Sequence, residues 1–222
     1  MELKGLKINF LGDSITEGVG TSAPDKMFHA VLKSEAGLEV ARNYGIGGTR
    51  FAIQKGNDWR DWNPIVDENS FSERYDKMDD DADAVVVFGG TNDYGHGDAP
   101  IGCFDDRTPN TFYGACHYLF VGLINKYPGK PIVIMTPLHR DNEYSKKGSG
   151  KTKDYETLKT YVNIIREVAE YYSLPVLDLY ASSGIQPEVP VLKQMFMPDG
   201  LHPNDEGNKI IAHKLKVFLE NL

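Results

Sequence analysis

An α/β fold built on a parallel sheet is predicted by three observations. Short apolar runs alternate with stretches of helical periodicity along the 222-residue chain, which marks strand–helix–strand units. The middle run, Ala84-Val85-Val86-Val87-Phe88, is apolar at every position, as a strand covered on both faces should be. The two long stretches without periodicity, 49–70 and 94–110, each begin where an apolar run ends. Open parallel sheets hold their ligands at the carboxyl ends of their strands, and long loops in compact domains tend to be functional.

In chain order, Lys7–Leu11 reads as the first strand and Lys26–Ala36 as a helix. Val40–Tyr44 is the second strand and Ala84–Phe88 the third. A helix over Thr111–Tyr127 follows, then a fourth strand, Ile132–Thr136, stopped by Pro137. Over Thr152–Tyr172, residues Leu158, Tyr161, Val162, Ile165, Val168, Ala169 and Tyr172 keep the 3.6-residue period of an amphipathic helix. Pro175–Leu179 is a short fifth strand. A last helix, Asp205–Glu220, lines up Ile211, Leu215 and Phe218. No repeat, low-complexity tract or linker interrupts the series, so residues 1–222 read as a single domain.

The formal net charge is −8, which argues against a nucleic-acid or anionic-membrane footprint and suits a neutral small-molecule substrate. No apolar run approaches the ~20 residues of a membrane span. The N-terminus enters a strand without the pattern of a signal peptide, so a cytoplasmic location is expected. Cys103 and Cys116, the only cysteines, read as reduced thiols, with a local disulfide left open. Composition leaves the oligomeric state undecided, a homo-oligomer included.

Four short segments carry candidate chemistry. Ser14 follows the first strand in Gly12-Asp13-Ser14-Ile15-Thr16-Glu17. A serine becomes a nucleophile when a base removes its proton, but Ser14 with Glu17 also fits a helix-capping box, and the two readings are compatible. His202 is the candidate base. Asp199, three residues earlier, can reach its Nδ1 side on a tight turn. Asn92, in Gly90-Thr91-Asn92-Asp93, offers an amide donor to developing negative charge. Gly48, in Asn43-Tyr44-Gly45-Ile46-Gly47-Gly48, offers a backbone N–H that substrate can approach closely. Taken singly, Asn92, Asp199 and His202 are also ordinary turn residues, and Gly48 a flexible loop.

The joint order of these blocks, from Phe10 to Pro203, resembles that of the SGNH hydrolases, the GDSL-type esterases and lipases. Here the first block reads Gly-Asp-Ser-Ile, and Gly48 is followed by Thr49 where the family often has an Asp, with Gly47 as a fallback donor. The resemblance implies a three-layer α/β/α sandwich with a flavodoxin-like five-stranded parallel sheet. It implies Ser14 as nucleophile, His202 as base and Asp199 as its orienter, with the Ser14 N–H, the Gly48 N–H and Asn92 as the oxyanion hole. Hydrolysis of short-acyl esters, O-acetyl above all and on carbohydrate, would then proceed through an acyl-enzyme. A lysophospholipase or thioesterase of the same family is the alternative, and a non-catalytic flavodoxin-like binding module the non-enzymatic one.

Other residues are weaker candidates. Asp13, Trp59, Tyr94 and His139 are expected as substrate contacts, with Trp62 and Phe51 completing an aromatic wall. His96 either lines the site or sits on an exposed loop. The acidic run Asp79-Asp80-Asp81 reads as a solvated helix end. No metal or cofactor is expected, because neither metal-ligand spacing nor a phosphate-binding glycine motif occurs in the chain.

Overall fold

The computed structural model describes residues 1–53 and 69–222. Strands β1 (Lys7–Gly12), β2 (Val40–Gly45), β3 (Ala84–Phe88), β4 (Ile132–Met135) and β5 (Val176–Leu177) form one sheet in the order β2-β1-β3-β4-β5. Every pairing is parallel. This is the flavodoxin order, whose direction of growth reverses between β1 and β3. Gly12 is level with Gly45 on one side and Phe88 on the other, and Phe88 with Met135. The chain therefore leaves β1, β2, β3 and β4 along one edge, and the segments that follow them are neighbours.

The described α-helices are α1 (Ser14–Glu17), α2 (Phe28–Ala36), α3 (Phe71–Arg74), α4 (Thr91–Gly95), α5 (Phe112–Lys126), α6 (Leu158–Tyr171), α7 (Leu179–Ser182), α8 (Pro190–Phe196) and α9 (Asp205–Glu220). The two-residue period of the strands sorts the core into two halves. Leu11, Val85, Val87, Ile132 and Ile134 pack with Leu119, Leu123, Val162 and Ile165 of α5 and α6. Ile8, Phe10, Val86, Phe88 and Val133 pack with Phe28, Leu32, Ile211 and Leu215 of α2 and α9. Helices on both faces make a three-layer α/β/α sandwich. All five residues of β3 are buried, the reason its sequence shows no alternation.

Several boundaries differ from the sequence reading. The helix expected from Thr152 starts at Leu158, because the preceding residues grip another loop: Thr152 N–H donates to Asp98 at 2.8 Å and Tyr155 Oη to the Asp98 carbonyl at 2.7 Å. The first long helix starts at Phe28, since Met27 is extended. The fifth strand ends at Leu177 because the Asp178 carboxylate caps α7, accepting from Ala181 N–H at 3.1 Å. Asp79-Asp80-Asp81 is an exposed turn that follows the end of a 3-10 helix, Tyr75–Lys77. Asp79 and Asp81 pair with Arg42 at 2.6 and 2.8 Å, and Asp80 pairs with Lys126. This cluster lies beside the start of β1, at the opposite edge from Gly12. Cys116 is buried in α5, Cys103 is exposed, and both are free thiols.

Candidate active site

The β1–α1 turn presents Ser14. A Cβ at Gly12 would overlap the Thr16 side chain and stand 3.0 Å from the Phe88 carbonyl, so only glycine lets the chain turn this tightly against β3. Asp13, not Ser14, caps the helix: its carboxylate accepts from Ile15 N–H at 3.0 Å. Ser14 is thereby the first residue of α1, and its N–H has no helical acceptor. The capping box is found elsewhere, at Ser70 and Glu73 of α3.

Ser14 Oγ lies 3.0 Å from His202 Nε2, and His202 Nδ1 lies 2.7 Å from Asp199 Oδ2. A carboxylate only accepts, so Nδ1 carries the ring proton and Nε2 turns its lone pair to the serine. The other Asp199 oxygen accepts from the N–H groups of Leu201 and His202 at 2.8 and 2.7 Å. Partial burial pushes the Asp199 carboxyl up, but these bonds outweigh it and leave its pKa below the ordinary value. Asp199 therefore remains an anion able to stabilise an imidazolium. Such a chain can move the Ser14 proton to His202 as Oγ attacks an electrophile.

The loop after β2 closes over the same place. A Cβ at Gly47 would come within 3.7 Å of Ser14 Cβ and 2.7 Å of Glu17 Oε2. Gly48 adopts φ +76°, and its N–H finds no acceptor among the described residues. Asn92 joins from α4, donating through Nδ2 to the Thr49 carbonyl at 3.0 Å. Thr49 also anchors this loop, its hydroxyl donating to the Ile46 carbonyl at 2.7 Å.

Beneath these groups sit buried charges. Arg74 donates to the Gly12 carbonyl at 2.6 Å, to Thr49 Oγ1 at 3.0 Å and to the Tyr44 carbonyl. It thus staples the ends of β1 and β2 to the glycine loop. Burial lowers its pKa to about 10, opposed by the charge of Asp13; it stays a cation at neutral pH. Arg140 donates to the Thr91 carbonyl and hydroxyl at 3.1 Å each, and Asp93 accepts from the N–H groups of Phe51 and Ala52 at 3.0 and 3.1 Å.

The model of the GDSL-like lipase/acylhydrolase family matches residues 10–210. The chain belongs to this family. Among solved structures, a protein from Lactobacillus plantarum is 30% identical, covers 98% of both chains and superposes with a TM-score of 0.81. The lipase/acylhydrolase from Enterococcus faecalis is 21% identical over 97% of this chain and 96% of its own, with a TM-score of 0.61. A two-domain esterase active on acetylated mannans is 19% identical, matched over 98% of this chain and 49% of its own, with a TM-score of 0.60. No curated protein matches.

In this GDSL-like hydrolase, Ser14, His202 and Asp199 come together as the sequence predicts, and Asn92 is bonded to the residue after Gly48. The expected substrate contacts fare differently. Tyr94 is completely buried, its hydroxyl donating to the Asn142 and Ser145 carbonyls, so it supports the site from below. Phe51 packs against Phe71 at 4.8 Å between ring centres and belongs to the core, not to an aromatic wall. Asp13 is also buried, one oxygen capping α1 and the other, Oδ2, without a partner among the described residues. Burial raises its pKa to about 7, against the Ile15 bond. His139 follows β4 with its side chain 20% exposed; Nδ1 meets both Glu143 oxygens at 2.9 Å and the ring lies 3.9 Å from Tyr180. Trp59 and Trp62 lie outside the described residues. The sequence reading missed Arg74 and Asp93. Asp93, next to Asn92, carried a signal by position and Arg74 carried none. Arg140 follows the fourth strand beside His139, where a substrate contact is expected, but it is buried and bonded to Thr91.

Proposed function

We propose that this GDSL-like hydrolase is a serine esterase that removes short acyl groups, acetyl foremost, from a hydroxyl-rich, carbohydrate-like alcohol. The observation that carries the reading is the unbroken line from Ser14 Oγ through His202 to Asp199, at 3.0 and 2.7 Å. As Ser14 Oγ bonds to the ester carbonyl carbon, His202 Nε2 takes its proton and Asp199 holds the imidazolium. The carbonyl oxygen becomes an oxyanion, received by the N–H groups of Ser14 and Gly48 and by Asn92 Nδ2. Collapse breaks the ester C–O bond, and His202 returns its proton to the leaving alcohol. Water, deprotonated by His202, then attacks the acyl-enzyme and releases the acid, with Ser14 reprotonated.

The substrate class is supported by the polar surroundings of Ser14. Exposed Glu17 stands beside the Gly47 turn, and Asp141, paired with Lys193, packs against Gly200 next to Asp199. Carboxylates and amines at these positions match hydroxyl groups better than a long acyl chain or an anionic headgroup. The mannan-active esterase of the same fold acts on a substrate of this class. The test is a series of p-nitrophenyl esters of increasing acyl length followed by acetylated sugars, with Ser14 labelling by a fluorophosphonate. Acetate esters should turn over fastest and labelling should need His202. A preference for long chains rejects the substrate class; an unlabelled protein rejects the esterase.

A further inference from the structure

Asn92 can serve an oxyanion only if its carboxamide is turned the right way. Rotated half a turn, it would offer oxygen where nitrogen is needed and repel the developing charge. Two contacts oppose that rotation. Nδ2 donates to the Thr49 carbonyl at 3.0 Å, which can only accept. Oδ1 lies 3.1 Å from His96 Nε2; an amide oxygen also only accepts, so this ring nitrogen carries the proton. On the far side of the ring, Nδ1 faces Arg50 Nη1 at 3.5 Å. A guanidinium only donates, so Nδ1 carries the lone pair. Each ambiguous group in the line is fixed by a neighbour that has one role.

The backbone explains why these two residues meet. His96 ends α4 four residues after Asn92, and its N–H donates to the Asn92 carbonyl at 3.0 Å. Side chains four apart on a helix share a face, while Tyr94 between them turns into the core. Burial, with the cations of Arg50, Arg140 and Lys151 nearby, lowers the His96 pKa to about 3. The ring is therefore neutral near pH 7, and its single proton stays on Nε2.

We propose that His96 is a positioning residue for the oxyanion donor: its Nε2–H holds Asn92 Oδ1 so that the second Nδ2 hydrogen is left for the developing oxyanion. This rests on the esterase reading above. His96→Leu removes the donor but keeps bulk, and His96→Gln restores one donor and one acceptor. With p-nitrophenyl acetate, His96→Leu should lower kcat by about 10–100-fold, the range lost when an orienting partner is removed from a metal ligand, with KM nearly unchanged. His96→Gln should recover most of that loss. In the Asn92→Ala background, His96→Leu should cost nothing more, because it acts only through Asn92. If the leucine variant does not fold, His96→Asn, too short to reach Oδ1, replaces it. Unchanged kcat, a change in KM alone, or additive losses in the double variant overturn the proposal. Full activity in Ser14→Ala or Asn92→Ala would instead sink the esterase reading, so the two failures are distinguishable.

Discussion

The nucleophile side of the site and the oxyanion side are built by opposite means. Ser14, Asp199 and His202 are held by neighbours in sequence: Asp13 caps the helix that Ser14 begins, and Asp199 receives three bonds from the two residues at 201 and 202. Gly48 and Asn92 depend more on groups far away in the chain, although His96 stands only four residues from Asn92. Arg74 reaches Thr49, Arg140 reaches Thr91, and His96 relays Arg50 to Asn92. Short-range geometry needs only the right residues in the right spacing. Long-range geometry needs the sheet to exist first, and it relies on the buried cations Arg74 and Arg140.

The largest expected effect breaks the nucleophile side. Ser14→Ala should reduce ester turnover by roughly 10⁴–10⁶-fold, with an unchanged circular dichroism spectrum; residual turnover near wild type would refute the assignment. Asn92→Ala should cost about 10²–10³-fold in kcat. A loss as deep as that of Ser14→Ala would mean that Asn92 does more than donate one bond. Arg74→Met tests the staple that the two sides share. It strands the carbonyls of Gly12 and Tyr44, and buried unpaired groups of this kind should cost about 2–4 kcal/mol in urea denaturation, alongside weaker turnover. Stability equal to wild type would show that the staple is dispensable.

The last effect concerns Asp13. Its folded-state carboxyl keeps its proton to about pH 7, whereas an unfolded aspartate loses its own near pH 4. The stability this provides is complete below pH 4 and is lost as pH rises towards 7, by up to ~4 kcal/mol. Asp13→Asn keeps an oxygen for the Ile15 N–H and cannot ionise. Its melting temperature should therefore fall less between pH 5 and pH 8 than that of wild type. Parallel profiles would assign the pH dependence to other groups, buried Asp93 first among them.

The same division explains what could be read from the chain. β3 and β4 were legible because β-strands buried on both faces are nearly all apolar, whereas β2 is only half-buried and carries Arg42 and Asn43. The serine, histidine and acid were legible because their spacing is itself chemistry. The short helix α4 was not. Without it, Tyr94 looked like a loop aromatic available to substrate, although one helical turn points it into the core and leaves Asn92 and His96 together. Ser-x-x-Glu marks a helix start wherever it occurs, and both segments carry it, yet the capping box forms at Ser70 while Asp13 caps the helix at Ser14. Nothing local distinguishes Arg74 from a surface arginine: besides the nearby Asn69 carbonyl, its partners lie 25 to 62 residues away. Arg140 is marked by its place after the fourth strand, but its partner Thr91 lies 49 residues away.

The staple made by Arg74 also sets an order of events. Its guanidinium meets the ends of β1 and β2 only after those strands lie side by side and α3 has docked. Helical content and collapse can appear earlier, but the turn that carries Ser14 gains its last support at the end. During refolding, recovery of hydrolysis should lag behind recovery of secondary structure, which makes turnover a reporter of final closure.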